Sequence, residues 1–262
     1  MAFLGYHRHR GICTNGPDIP GMGPSALFLI VPQQTYGKNL IFVCIKRFAM
    51  NENFIITIGR QFGSGGREIG IRLSQLMNIG YYDKELMQEA AKESGIDTRF
   101  FEQADETTPR SFYHAMLGLS SFNYGNTLCN ETIFKLQADV IQNIARKQSC
   151  VIVGRCADYI LRDNPRCISV FIHAAMNDRI ARIKKYTLLS EKEAEEKAVK
   201  TDKRRASYYN FYSDKEWGVA SSYDLSINSS ILGTQEPAIL IKAFVEKRLS
   251  HLYRYGVLTP HQ

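Results

Sequence analysis

The 262-residue sequence has no apolar run that is long enough to cross a membrane. A membrane-spanning helix needs about 20 consecutive apolar residues, whereas the apolar runs near the start of the chain cover only residues 26–32 and 40–45. No small-residue cleavage pattern follows a basic start, which argues against a secretory signal. We therefore expect a protein that has no membrane partner.

The sequence also lacks the cysteine and histidine spacings of a metal site. Its six cysteines include no Cys-x-x-Cys pair, and its six histidines form no ligand cluster. Cys150 and Cys167 lie in or beside apolar runs, as buried thiols do. Thiols without a disulfide framework are typical of a reducing compartment. We therefore predict no metal bound by the protein alone, and a cytoplasmic location.

The charge of the chain gives little support to a nucleic-acid interface. The net charge is +7, and residues 1–49 contribute much of it, with five Lys or Arg side chains against one Asp. Nucleic-acid-binding domains usually carry a basic stripe along one face. The mild excess over the rest of the chain favours a small anionic ligand and no nucleic-acid partner.

Residues 1–49 show neither helical nor strand periodicity over a useful length. Met50 directly precedes NENFIITIGR, a natural start for a protein whose first strand leads into a glycine loop. We expect a disordered leader at residues 1–49, or an over-extended reading frame with translation beginning at Met50. The folded domain is predicted over residues 50–250, followed by a tail at 251–262.

Residues 54–70, FIITIGRQFGSGGREIG, predict a buried strand, a glycine-rich turn and a helix. This order builds a phosphate cradle, because glycines let backbone N–H groups converge on an anion at a helix N-terminus. A full P-loop reads G-x-x-x-x-G-K-[ST], and here Gly66-Arg67-Glu68 aligns with its last three residues. The alternative is a tight turn whose glycines only allow close packing. The predicted phosphate-binding residues are Gly63, Ser64, Gly65, Gly66, Arg67 and Glu68.

Two further predicted strands end in charged residues. Asp83 follows a short strand, and Arg155 follows the buried strand at 150–154. Ligands bind at the carboxyl ends of the strands in open α/β sheets. Asp83 could instead cap the next helix, and Arg155 could face solvent or pair with Asp158. The sequence leaves these alternatives open.

A Ser190–Glu193 capping box predicts a long helix through roughly Tyr209. Asp202 and Arg205 are three residues apart on one face of this helix, with Arg204 beside them. A solvated charged helix is one interpretation, but the aromatic run at 208–212 indicates that this end packs against something. Strands and helices alternate along the chain, which predicts an α/β fold with a parallel sheet covered on both faces.

Five segments in order resemble the cytidylate kinase-like family, a branch of the P-loop nucleoside monophosphate kinases. They are GRQFGSGGREIG, YYDKEL, VIVGRCADYIL, DKRRASYY and YDLSINSS, within about residues 50–250. The resemblance implies a P-loop NTPase-type parallel sheet, a helical cap insertion at about 84–135 and an arginine-bearing lid at about 179–217. It also implies ATP and Mg²⁺ as cofactors, and a nucleoside monophosphate, CMP or dCMP, as the substrate.

The resemblance, with the negative charge that phosphoryl transfer must neutralise, assigns roles to individual residues. The implied catalytic residues are Arg67, Arg155, Asp202 and Arg205. The implied acceptor-binding residues are Asp83, Arg155, Asp158, Arg179 and Arg204. Magnesium would be held mainly by the nucleotide and water, with Ser64, or Asp83 through water, as further contacts. Typical members have Gly-Arg-Asp where this chain has Gly154-Arg155-Cys156.

Three functions agree with these residues. The first is an ATP-dependent nucleoside monophosphate kinase, which arginines at three separate sites favour. The second is a nucleotide- or phosphate-binding sensor with weak transfer, which the altered loop favours. The third is a kinase for another small phosphate acceptor. The sequence indicates neither the acceptor base nor an oligomeric state.

Overall fold

The computed structural model describes residues 52–84, 92 and 124–254. These residues belong to one compact unit, Phe42–Gln262. The predicted leader at 1–49, most of the predicted cap insertion and the last eight residues of the predicted tail lie outside the described residues. No helix in the described part of the chain has the length and apolar character that crossing a membrane requires.

The described strands form a five-stranded parallel sheet in the order β2-β3-β1-β4-β5. The strands are β1 (Ile55–Arg60), β2 (Gly80–Tyr82), β3 (Cys150–Val153), β4 (Cys167–His173) and β5 (Leu225–Asn228). β1 is central because Ile55 lies opposite Cys150 of β3 on one side and Cys167 of β4 on the other. The predicted α/β class with a parallel sheet is confirmed.

Helices cover both faces of this sheet. They are α1 (Gly66–Met77), α2 (Tyr124–Lys147), α3 (Ala157–Ile160), α4 (Met176–Tyr186), α5 (Glu191–Tyr212), α6 (Ser229–Leu232) and α7 (Glu236–Arg254). The capping box at Ser190 begins α5 as the sequence predicts. Two helices cross predicted boundaries: α2 begins at Tyr124, inside the predicted cap insertion, and α7 continues to Arg254, into the predicted tail.

Alternate side chains of β1 point to opposite faces, as the two-residue period of a strand requires. Ile56 and Ile58 pack in the cluster that holds α1 and α7, whereas Ile55 packs in the cluster that holds α2 and α3. All three isoleucines are completely buried. This two-sided burial explains why the strand reads as a continuous apolar run. Apart from Thr57, the polar and glycine residues of β1 stand at its carboxyl end.

Candidate active site

The loop between β1 and α1 points its carbonyl groups outward, where each one accepts a hydrogen bond. The acceptors and donors are Gln61 O from Ser64 Oγ (2.8 Å), Phe62 O from Arg179 Nε (2.7 Å), Gly63 O from Arg182 Nη1 (3.3 Å), Ser64 O from Ser229 Oγ (2.6 Å) and Gly65 O from Ile69 N (3.0 Å). Side chains of α4 and α6 supply three of the five donors. The loop is thus fixed with its acceptors occupied.

Four N–H groups, from the same loop and the first turn of α1, are available for a ligand within the described part of the chain. Those of Gly63, Gly65, Gly66 and Glu68 have no acceptor among the described residues. Gly65 caps α1 in the left-handed conformation (φ 82°, ψ 5°), and a left-handed residue followed by a helix turns successive N–H groups toward one concavity. A Cβ on Gly65 would lie 2.7 Å from Thr234 Cγ2. Close packing alone does not explain the unoccupied donors, and the start of α1 adds partial positive charge.

A largely buried ion pair between Arg179 and Asp202 holds the backbone of the loop in place. Asp202 Oδ1 accepts from the Phe62 N–H at 2.7 Å, while Arg179 donates to both the Phe62 carbonyl and Asp202 Oδ2. The Arg179 and Asp202 side chains are 5% and 14% exposed. The backbone N–H and carbonyl of Phe62 are therefore both hydrogen-bonded, the N–H to Asp202 of α5 and the carbonyl to Arg179 of α4. These contacts give Arg179 and Asp202 a positioning role, while their roles toward acceptor and reaction stay predictions.

Arg67 and Asp83, predicted to contact different parts of the ligand, contact each other. Arg67 Nε and Nη2 lie 3.0 and 2.9 Å from Asp83 Oδ2, and the Tyr81 hydroxyl lies 3.4 Å from the same oxygen. Burial raises the pKa of Tyr81 to about 12, and the neighbouring Asp83 carboxylate adds to this. An arginine engaged in this way contributes less positive charge to the loop than the sequence suggests.

The Glu68 side chain points away from the concavity that its N–H faces. Its carboxylate accepts from Arg72 Nη2 at 3.1 Å and from Thr234 Oγ1 at 2.9 Å. Burial by itself raises the pKa of Glu68, but these hydrogen bonds and the charge of Arg72 hold it below its ordinary value. Glu68 therefore contributes backbone, and not its carboxylate, to the candidate phosphate site.

The residues around the loop do not form a magnesium site of their own. No three His, Cys, Asp or Glu side chains come together within the described ranges. Ser64, the hydroxyl expected near the ion, is completely buried and donates to Gln61 O. Magnesium keeps several waters when it is bound through phosphates. We therefore assign no protein residue to it and derive no step through it.

A narrow cleft opens at the carboxyl ends of β1 and β3, beside α5. Its lining consists of Thr57, Ile58, Gly59, Arg60, Gly154, Arg155, Cys156, Asp158, Arg205, Tyr208, Tyr209, Trp217 and Tyr223. Three of these are arginines and four are tyrosine or tryptophan. This composition suits a ligand that combines an anionic group with a flat ring.

Arg155 reaches the cleft from a strained turn. Gly154, Arg155 and Cys156 have φ values of 85°, 60° and 53°, so three consecutive residues are left-handed. The left-handed conformation costs about 1–2 kcal/mol for each non-glycine residue, and such strain concentrates at functional sites. The Arg155 residue is only 6% exposed. Arg205 lies across the cleft and donates from Nη1 to the Arg60 carbonyl at 3.1 Å.

Asp158 is the one acidic residue in the described cleft lining. Its carboxylate accepts from the Tyr209 hydroxyl at 2.6 Å. Burial raises the pKa of Asp158, although Tyr209 and Lys215 act in the opposite direction. Burial and the Asp158 charge also raise the pKa of Tyr209. Asp158 and Tyr209 thus form a hydrogen-bonded pair in the lining of the cleft, which also contains the three arginines.

A family model described as the cytidylate kinase-like family matches residues 55–231. The matched segment begins with β1, ends in α6 and contains the loop and every residue that lines the cleft. The chain belongs to this family. The predicted family is therefore confirmed, and membership supports a phosphotransferase with a kinase-like fold.

Solved structures are similar to this chain to different degrees. The crystal structure of an uncharacterized protein from Eubacterium ventriosum ATCC 27560 is 30% identical, with coverage of 74% of this chain and 99% of that chain and a TM-score of 0.57. Shikimate kinase from Acinetobacter baumannii is 16% identical (77% and 97% coverage, TM-score 0.41). A gluconokinase from Sinorhizobium meliloti 1021 is 11% identical (81% and 99%, TM-score 0.40). No curated protein sequence matches the chain at a significant level.

Within this kinase-like fold, the predicted site residues separate into three groups. Arg155, Asp158 and Arg205 line the cleft; Arg179 and Asp202 lie behind the loop; Arg67 and Asp83 pair beside it. Arg204 does not line the cleft, and its buried Nε has no acceptor among the described residues. The sequence prediction missed Arg60, Tyr209 and Ser229, although all three stand inside motifs that it singled out.

Replacing Asp158 with asparagine tests the electrostatics of the cleft. The folded-state pKa of Asp158 is raised above that of the unfolded chain, so folding favours the protonated acid. The stability that protonation contributes is complete below the unfolded pKa of about 3.9 and is lost as pH rises through the folded value. We expect the unfolding free energy of wild type, minus that of Asp158→Asn, to fall between pH 4 and pH 7.

Urea unfolding of the two proteins across this pH range measures that difference, at about 1.4 kcal/mol for each pKa unit. Other titrating groups cancel in the subtraction. A difference that stays constant, or that grows toward neutral pH, would contradict the raised pKa.

Proposed function

We propose that this chain is an ATP-dependent kinase that phosphorylates a nucleoside monophosphate, CMP or dCMP. The observation that carries the proposal is the difference between the carbonyl groups and the N–H groups of the loop at Gln61–Gly65. All five carbonyl groups accept hydrogen bonds, three of them from side chains of α4 and α6, while the N–H groups of Gly63, Gly65 and Gly66 have no acceptor in the described part of the chain. An array of this kind suits the terminal phosphates of a nucleotide.

In the proposed reaction, a phosphate oxygen of the acceptor attacks the terminal phosphorus of ATP. The new phosphorus–oxygen bond forms as the bond to the bridging oxygen breaks, and the bridging oxygen keeps the electron pair, which gives ADP. Attack by the acceptor dianion releases no proton, so no general base is needed. Positioning and neutralisation of charge are the main requirements of this chemistry.

The cleft supports the acceptor side of the proposal. Arg155 is suited to binding the acceptor phosphate. Arg205 is suited to neutralising the charge of the phosphoryl group in transfer. Tyr208 and Tyr209 offer aromatic surface for a base, and Asp158 offers a hydrogen-bonding group at the same wall. The family resemblance favours cytosine. The proposed lid, about 179–217, includes α5 and is joined to the loop through Asp202.

The proposal is tested by incubating the full chain with ATP, magnesium and each nucleoside monophosphate in turn, and following ADP formation. Reactions without acceptor measure background hydrolysis. We expect acceptor-dependent turnover, fastest with CMP or dCMP. A separate panel of small phosphorylated and hydroxylated acceptors tests the broader kinase class.

Two outcomes would overturn the nucleoside monophosphate kinase. Binding of ATP and CMP by calorimetry, without turnover of any acceptor, would identify a sensor. Turnover of a non-nucleotide acceptor, with none of CMP or dCMP, would identify a different small-molecule kinase.

A further inference from the structure

Gly66 occupies the position where a typical P-loop has its lysine. The motif places the lysine directly after the last loop glycine, where the helix begins. Gly65 is the left-handed cap of α1, and Gly66 is the first helical residue. This register differs by one residue from the sequence alignment, in which Arg67 stands in place of the lysine. The structure therefore leaves the lysine position without a side chain.

The stem of Arg60 fills the space that a side chain at position 66 would need. A Cβ atom on Gly66 would lie 2.6 Å from the Arg60 Cβ and 3.1 Å from its Cγ. Gly66 is not among the described glycines with positive φ, so its backbone does not require glycine. The side chain at position 60 is what requires it, beginning at its Cβ. Side chains at positions 60 and 66 therefore exclude each other sterically, and in this chain the side chain is the arginine at 60.

Arg60 and Arg67 differ in where they lie. Arg60 lines the cleft with Arg155 and Arg205, and its own carbonyl accepts from Arg205 Nη1 at 3.1 Å. Arg67 does not line the cleft; its side chain is 65% exposed, and it pairs with Asp83. Of the two arginines in the loop motif, Arg60 is the one beside both the start of α1 and the cleft.

We propose that Arg60, and not Arg67, supplies the phosphate-binding cation of this loop, in place of the usual lysine. This inference rests on the proposed function. The ligand class is the terminal phosphates of a nucleoside triphosphate, held between the loop N–H groups and the Arg60 guanidinium. Because an arginine fork can contact two phosphate oxygens at once, it replaces the point charge of a lysine with a directional contact.

The test compares four variants of the full chain. Arg60→Met keeps an apolar stem and removes the cation, whereas Arg60→Lys keeps a cation. Arg67→Ala removes the alternative arginine, and Arg72→Ala removes a cation elsewhere on α1 as a matched control. Calorimetry measures the Kd of a non-hydrolysable ATP analogue and of inorganic tripolyphosphate, and circular dichroism establishes that each variant is folded.

We expect Arg60→Met to weaken both ligands by about 10- to 100-fold, because a hydrogen bond to a charged group contributes about 1.5–3 kcal/mol. Arg60→Lys should recover part of this loss. Arg67→Ala and Arg72→Ala should each change Kd by less than about threefold, which is under 0.7 kcal/mol at about 1.4 kcal/mol per tenfold. A loss in Arg67→Ala equal to or larger than that in Arg60→Met would overturn the proposal, as would an Arg60→Met protein that binds like wild type.

A space-exchange variant provides an independent test. Gly66→Lys alone should clash with the Arg60 Cβ and weaken tripolyphosphate binding, whereas Arg60→Gly combined with Gly66→Lys removes that Cβ, opens the space and restores a lysine at the helix start. We expect the double variant to bind at least tenfold more tightly than Arg60→Gly. Failure of this recovery in a folded double variant would count against the shared space.

The two proposals fail in distinguishable ways. If wild type binds tripolyphosphate and the Arg60 variants lose it, but no acceptor is phosphorylated, the kinase fails and the Arg60 assignment holds. If turnover is normal and Arg67 carries the binding, the kinase holds and the Arg60 assignment fails. If wild type binds neither probe, both are overturned.

Discussion

Asp202→Ala is expected to lower the free energy of unfolding by about 3–5 kcal/mol, the usual cost of removing one partner from a buried ion pair. Arg179 would be left as a nearly buried charge, and the Phe62 N–H would lose its acceptor. Urea unfolding at neutral pH measures the change. Because the same contacts hold the loop, ATP affinity should fall in protein that is still folded.

The matched control is Asp163→Ala, which removes an exposed ion pair with Arg162. The Asp163 side chain is 91% exposed, and exposed pairs contribute about 0–1 kcal/mol. The double variant Asp202→Ala with Arg179→Met should be more stable than Asp202→Ala alone, since no unpaired charge remains buried. A loss below 1 kcal/mol in Asp202→Ala would show that the pair does not fasten the loop.

Arg205→Ala is expected to lower kcat by about 10²–10³-fold, the range found when one group that stabilises transition-state charge is removed. Arg205 lines the cleft and is held against the carbonyl of Arg60, the residue that leads into the candidate phosphate loop. The KM for the acceptor should change by less than about fivefold, because the contact strengthens mainly as charge develops. Steady-state kinetics with the best acceptor measures both constants.

Arg204→Ala is the matched control, because it removes the same charge from the neighbouring position of α5, outside the cleft lining. We expect its kcat to stay within about threefold of wild type, since a charge that does not contact the reacting groups acts weakly at a distance. Equal losses in both variants would indicate a general electrostatic effect of the helix. An unchanged kcat in Arg205→Ala would remove this arginine from the proposed mechanism.

The loop is built by three distant parts of the chain acting on one short segment. Arg179 and Arg182 of α4, Asp202 of α5 and Ser229 of α6 each bind a backbone group between Phe62 and Ser64. Ser229 lies in YDLSINSS, one of the segments that carry the family resemblance, and its hydroxyl donates to the Ser64 carbonyl of the loop. Motifs that look independent in the sequence meet as one support for the candidate phosphate site.

The sequence by itself determined the fold class and the position of the glycine loop. A continuous apolar run such as Phe54–Ile58 is buried on both faces of a sheet, and its strand–glycine–helix order allows few other local structures. The Ser190 capping box and the strand-end arginine Arg155 were also readable, because each depends on local spacing. These features involve contacts between residues close in the chain, or a period repeated over a whole element.

Only the tertiary structure decided which charges face the candidate site. Arg60 and Arg67 look equivalent in GRQFGSGGREIG, yet one lines the cleft and the other pairs with Asp83. Asp202 is indistinguishable in sequence from a solvated helix residue, yet it holds the Phe62 N–H across 140 positions of chain. The physical reason is that a long charged side chain can turn to several partners. Packing between distant elements selects one of them, and spacing along the chain does not record that choice.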